Sequence, residues 1–245
     1  MCGRYALTHD LPALVTAFGI EPRAAIPPRY NIAPGQPVLI VRHSTGGAPG
    51  HAPARAKIFE SRAELAAVEW GFVAEWVKER QPGKPLVNAR VETATCKPSF
   101  RAAVKRQRCL VPFSAWYEWK SEAGRRQPYM IEPVTATVGA FAGIWSLWHG
   151  PAGEHWLETM AILTGPASGP LKALHSRRPL IVRPEDYAKW TAPTDPLPRN
   201  FLQNMQWESE TCYHWRRLGT RVNDVRHDDA ACQLPSSQPA QKSLF

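Results

Sequence analysis

Apolar residues in this chain alternate with polar ones more often than they recur at helical spacing, which predicts a sheet-rich fold. Strand-like runs cover Val38–Val41, Cys109–Lys120, Pro128–Glu132, Val138–Trp148 and His155–Thr164, so the middle of the chain reads as mainly antiparallel sheet. Ser121–Gln127 reads as a hairpin turn. Ser44–Pro53 reads as a Gly/Pro turn region, with Ala54–Phe59 as a return strand. Helical spacing is confined to short pieces. Thr8 or Asp10 can cap a helix with Pro12 in its first turn, Leu11, Leu14, Val15 and Phe18 on one face and Gly19 as its stop. Ser99 is placed to cap a basic helix over Phe100–Arg106, and Pro184–Trp190 suggests another. Leu171–Val182 reads as a short helix, a loop carrying His175, and a strand. Arg221–Val225 is a last short ordered segment before a polar tail from Ser236 to Phe245.

Composition narrows the class. A chain of 245 residues without a long linker is best read as one compact domain, and 44% hydrophobic residues with 10 Trp and 24 Pro suit a folded, turn-rich protein. Thirty Lys and Arg against 21 Asp and Glu leave a formal charge of +9, which favours an anionic partner such as nucleic acid. No run is long and apolar enough to span a membrane and no signal-peptide pattern opens the chain, so a cytoplasmic protein is expected. The five cysteines are scattered and form no CxxC pair, which predicts reduced thiols. Cys212, His214, His227 and Cys232 match no common zinc spacing, so neither a metal nor another cofactor is expected.

The candidate chemistry starts at Met1-Cys2-Gly3-Arg4-Tyr5. A small residue after the initiator permits removal of Met1, which would leave Cys2 with an amine and a thiol on adjacent carbons. With ordinary pKa values of about 7.7–8.0 and about 8.5, both groups are accessible nucleophiles near neutral pH. An aldehyde is their natural electrophile: the amine forms an imine, and addition of sulfur closes a thiazolidine. Asn88 and Arg90 share a face if Leu86–Thr93 is extended. Alternation through Trp116-Tyr117-Glu118-Trp119 puts Trp116 and Glu118 on one face and Tyr117 and Trp119 on the other. A carboxylate among aromatics has its pKa raised by desolvation, as a general acid requires. His175 suits proton transfer, the adjacent Arg177 and Arg178 suit phosphate, and Trp70 is either core or a base-stacking platform.

Taken with Tyr30-Asn31-Ile32-Ala33-Pro34 and His175-Ser176-Arg177-Arg178-Pro179, these stretches run in an order that closely resembles the SOS response-associated peptidase family, the abasic-site processing proteins, from Cys2 to about Arg226. The resemblance implies a single α+β domain over residues 1–230, built on a curved, mostly antiparallel, barrel-like sheet with peripheral short helices, and a flexible polar tail over 231–245. It also implies a monomeric enzyme with a basic channel for single-stranded DNA, which links an abasic deoxyribose to the N-terminal cysteine and so shields the lesion during the DNA damage response. Carried over by motif, Cys2 is the nucleophile, Asn88 orients the amine or sugar, Glu118 moves protons during ring opening and imine formation, and His175 helps open the sugar and assists reversal. Arg4, Arg90 and Arg177 hold phosphates, while Trp70 and Trp119 support the strand or its bases. Self-removal of Met1 supplies the peptidase character, and lyase chemistry is a further expectation. Two other classes stand beside this reading: a cysteine peptidase acting on other proteins through Cys2 and His175, and a non-catalytic single-strand reader.

Overall fold

The computed structural model describes residues 2–20, 26–43, 63–80, 85–135, 138–151, 153, 156–193, 197–198 and 200–236. The turn and return strand expected over 44–59 lie outside these residues, as does the tail beyond Ser236. In chain order the elements are β1 (Tyr5–Leu7), α1 (Leu11–Phe18), β2 (Arg29–Ile32), β3 (Pro37–His43), β4 (Ala63–Trp70), β5 (Asn88–Arg90), α2 (Arg101–Arg106), β6 (Arg108–Phe113), β7 (Ala115–Glu122), β8 (Arg125–Pro133), β9 (Gly139–Trp148), β10 (Leu157–Pro166), β11 (Arg177–Pro179), α3 (Tyr187–Thr191), α4 (Phe201–Asn204) and β12 (Tyr213–Arg217), with short 3-10 turns between them.

The local signals explain most of these boundaries. Asp10 caps α1 by accepting from the Ala13 N–H at 3.1 Å, and Gly19 ends the helix in the left-handed region. Ser99 does not cap α2; the helix starts from Phe100 without a side-chain cap, following a run of turns over 91–100. The hairpin between β7 and β8 is tighter than the sequence suggested. Its loop is Ala123-Gly124, both at positive φ, which matches the right-handed twist of the flanking strands and sets Glu122 opposite Arg125. That register places Trp119 opposite Pro128 and Ser121 opposite Arg126.

The strands form two sheets rather than one. Five lie in the order β12-β8-β7-β1-β2. The other sheet runs β11-β10-β4-β3-β6-β9 and closes into a ring where β9 pairs β10, so it is barrel-like without being a complete barrel. Its parallel pairings are short: β10 with β4 and β10 with β5. The chain passes from one sheet to the other at Ser114, between β6 and β7, and Ser114 Oγ accepts from the Thr8 N–H at 2.7 Å. The main core fills the space around Tyr5, Trp70, Phe113, Trp116 and Phe141, while a second cluster joins Ala6, Ala115, Tyr117, Met130, Leu218, Val222 and Cys232.

That second cluster corrects the expected start of the tail at 231. Cys232 is buried, Gln233 donates to the Tyr117 hydroxyl at 3.0 Å, and Pro235 bridges Leu218. Burial of apolar surface against β1 and β7 holds this segment down, so the packed chain continues to Pro235. Among the described residues, no helix is long and apolar enough to cross a membrane, and no group of three or more His, Cys, Asp and Glu is arranged to hold a metal ion. His214 lies against Glu132, and the Cys232 thiol against the His227 carbonyl.

Candidate active site

The site is assembled from strand registers. Pairing of β1 with β7, Tyr5 opposite Trp116, together with the Tyr117 N–H donated to the Arg4 carbonyl, lays the residues ahead of β1 along the middle of β7. From the other sheet, β10 carries two contributors. It holds β5 in parallel with Ile162 beside Asn88, and it holds β11 antiparallel with Pro166 beside Arg177, so Asn88 and the His175 loop are fixed by one strand. The result is a cavity of about 450 Å³ lined by Gly3, Arg4, Glu118, Trp119, Arg126, His175 and Asn223.

Cys2 has no exposed surface, and its backbone carbonyl accepts from Asn88 Nδ2 at 2.9 Å. The other end of that amide, Asn88 Oδ1, is buried and has no hydrogen-bond partner among the described residues. Burial pushes the Cys2 thiol well above the usual range, the nearby Glu118 carboxylate adds to the effect, and the thiol therefore keeps its proton at neutral pH. Glu118 is itself buried, and desolvation raises its pKa to about 7, with the α-amino charge and its hydrogen bond opposing the rise. This is the environment expected of a carboxylate on a strand of aromatic residues, with Trp116 and Tyr117 both buried beside it.

His175 is half-buried, and desolvation, followed by the positive α-amino group, lowers its pKa. Its Nδ1 accepts the Arg177 N–H at 2.9 Å and also lies 3.1 Å from the Arg177 carbonyl. Either tautomer thus finds a backbone partner at Nδ1, and proton traffic with a ligand falls to Nε2.

The five positions expected to bind DNA each behave differently. Arg4 lines the cavity, but its Nη1 is engaged by Asn31 Oδ1 at 2.7 Å and by the Val222 carbonyl at 2.8 Å. Arg90 is exposed and shares the face of β5 with Asn88. Arg177 makes a two-point pair with Glu92, at 2.8 and 2.9 Å, and donates to the Thr164 carbonyl at 2.7 Å, so a phosphate must displace a carboxylate to reach it. Trp119 lies at the cavity wall, with its Nε1 donated to Asn223 Oδ1 at 2.7 Å and the guanidiniums of Arg4 and Arg126 5.4 and 5.5 Å from its ring centre.

Trp70 requires a correction. It is completely buried, packs edge-on against Tyr5, and donates Nε1 to the Val87 carbonyl at 3.0 Å, so its ring cannot present a face to a base. It braces the segment that leads into Asn88 from beneath.

Three contributors have no role assigned from the sequence: Arg126, Asn223 and Asn31. Asn31 is fully buried and saturated. Its Oδ1 accepts from Arg4, while Nδ2 donates to the carbonyls of Val222, Asp224 and His227 at 3.3, 3.0 and 2.7 Å. Asp228 completes the clasp, accepting from the N–H groups of Tyr30 and Asn31 at 2.5 and 2.8 Å and pairing with Arg29. The 222–228 segment, with Asn223 in it, is thereby fastened to β2, and Arg4 is fastened to both. A polar residue between Tyr30 and Ile32 in a strand whose end is buried was the available signal.

The sequence profile of the family described as SOS response associated peptidase, SRAP, matches residues 1–225, and the chain belongs to that family. It is 30% identical over 209 residues to the abasic site processing protein YoqW of Bacillus subtilis, covering 84% of this chain and 86% of the relative. It is 31% identical over 197 residues to the abasic site processing protein YedK of Escherichia coli, covering 78% and 79%. The abasic site processing protein HMCES of Gallus gallus matches at 28% over 194 residues, covering 70% of this chain and 57% of that protein. Among solved structures, a protein from Bacteroides thetaiotaomicron superposes with a TM-score of 0.79 at 18% identity, over 96% of this chain and all of the other. A phage-related protein from Bordetella bronchiseptica gives 0.66 at 26% identity, over 89% and 94%.

Proposed function

We propose that this chain processes abasic sites in single-stranded DNA by forming a covalent thiazolidine between Cys2, freed of Met1, and the ring-opened deoxyribose. The observation that carries the reading is the setting of Cys2: a buried residue tied to Asn88 and electrostatically coupled to a glutamate whose pKa lies at about 7, beside a cavity rimmed by arginines. Relatives named abasic site processing proteins give the substrate class.

The closed hemiacetal of an abasic sugar must first open, which requires a proton delivered to the ring oxygen and one removed from the anomeric hydroxyl. Glu118 is divided between its acid and base forms near neutral pH, so one side chain can serve both transfers, with His175 as the second proton carrier. The Cys2 amine then adds to the aldehyde carbon and water leaves, giving the imine. The unpaired Asn88 Oδ1 suits the role of acceptor for an amine N–H. Finally the Cys2 sulfur bonds to the imine carbon while the thiol proton passes to the imine nitrogen. The attacking sulfur is the thiolate, so the thiol proton leaves as the C–S bond forms, and Glu118, the carboxylate coupled to Cys2, can carry it to the imine nitrogen.

Intact mass spectrometry after incubation with an abasic oligonucleotide tests the proposal. The expected mass is that of the chain without Met1 plus the oligonucleotide minus one water. Wild-type protein that yields no such species overturns it.

A further inference from the structure

Arg126 is the cation that the site holds in reserve. It is exposed, lines the cavity, and among the described residues has neither a carboxylate nor a hydrogen-bond acceptor as partner. Its placement follows from the hairpin. With Trp119 opposite Pro128 and Ser121 opposite Arg126, Arg126 is the diagonal cross-strand neighbour of Trp119 on the same sheet face, and its guanidinium carbon lies 5.5 Å from the indole centre. Arg125, one residue away and also exposed, stands opposite Glu122 and points to the other face. Of the other arginines about the site, Arg4 is engaged through Nη1 by Asn31 and Val222 and Arg177 by Glu92 and Thr164, while the exposed Arg90 is not part of the cavity lining.

We infer that Arg126, supported on Trp119, forms an anion subsite at the cavity mouth that takes one backbone phosphate of the strand next to the lesion. The inference rests on the abasic-site reading for the identity of the strand. The subsite is a planar, permanently charged fork held in place by the indole and unshielded by protein anions, which is what a phosphodiester needs. In this arrangement Trp119 serves chiefly as a support for arginine.

The test measures equilibrium binding of wild type, Arg126→Gln, Arg126→Lys and Arg125→Gln to a single-stranded oligonucleotide carrying a tetrahydrofuran abasic analogue, which has no aldehyde and cannot be captured covalently. Each phosphate neutralised on a single strand contributes roughly 0.7 to the slope of log affinity against log salt. Arg126→Gln is expected to lower the slope by about that amount, while Arg126→Lys and Arg125→Gln keep the wild-type slope. A neutral methylphosphonate at the contacted phosphate should weaken wild type and leave Arg126→Gln unaffected. Equal slope losses in Arg125→Gln and Arg126→Gln, or no loss in either, overturn the inference. Because the analogue reports binding alone, its outcome is separate from the covalent-adduct test: wild type can fail to crosslink while the slopes still decide whether Arg126 takes a phosphate.

Discussion

The floor and the rim of the cavity are built on opposite principles. On the floor, Glu118 lines the cavity with Cys2 buried and electrostatically coupled to it, and the dominant force on both is desolvation, which keeps the thiol neutral and brings the carboxyl to about 7. On the rim, Arg4, Trp119, Arg126 and Asn223 are joined by hydrogen bonds and cation–π contacts, and the charges stay charged. Low dielectric tunes when a proton moves, whereas half-exposed cations decide what approaches and how strongly salt interferes. Substitutions on the floor should therefore alter rates and pH profiles, and substitutions on the rim should alter salt dependence.

The largest separation comes from Cys2. Cys2→Ala should abolish the denaturation-resistant adduct in a gel assay, and Cys2→Ser, which keeps the amine but closes no thiazolidine, should give an adduct only after borohydride trapping. An unreduced stable adduct from the serine variant would remove the sulfur from the scheme. Next, Glu118→Gln should slow adduct formation by about 10²–10⁴-fold, the usual range for a lost acid–base group. Wild type should show a rate maximum between the Glu118 pKa of about 7 and the amine pKa of about 7.7–8.0. The fall on the alkaline side comes from ionisation of Glu118, so it should vanish in the glutamine variant.

Stability gives an intermediate effect. The folded carboxyl of Glu118 holds its proton up to about pH 7 while the ordinary value is 4.5, so wild type loses stability as pH rises between the two, by up to about 3 kcal/mol. Glu118→Gln should thus be the more stable protein at pH 8, with the difference closing near pH 4.5 in thermal denaturation. The smallest effect belongs to the outer rim. Glu92 is held below the usual carboxylate range by its hydrogen bonds from Arg177, and Glu92→Gln should release that arginine and raise the salt slope by up to about 0.7. A lower slope would mean that Arg177 depends on Glu92 for its placement.

The floor was more legible in the sequence than the rim. Alternation through Trp116-Tyr117-Glu118-Trp119 is a local rule, and the structure keeps it, with Trp116 in one core cluster and Tyr117 in the other. The order of motifs singled out Asn88, Glu118 and His175; Glu118 and His175 line the cavity while Asn88 reaches the Cys2 carbonyl, placements that depend on β10 and on the β1–β7 register. Arg126 was missed because its direction is decided by a loop of only Ala123-Gly124; one more residue would have turned it away. Trp70 looked available because nothing local distinguishes a buried indole from a stacking one, and only packing against Tyr5 decides the matter. The division into two sheets was hidden for a similar reason, since β6 and β7 read as one continuous strand until Ser114 redirects the chain.

The clasp around Asn31 has a consequence for biosynthesis. Arg4 leaves the ribosome well before its carbonyl partner Val222, which lies 218 positions later. Domain folding on a growing chain proceeds from the N-terminus, and contacts of such long sequence separation form late. Arg4 must therefore wait, unclasped and with one cavity wall missing, until the segment around Val222 has been made. Translation that stops before Val222 would yield a polypeptide bearing Cys2 and the residues around it but lacking the wall they face. Synthesis of the 222–228 segment thereby sets the moment at which the cavity beside Arg4 gains its last wall.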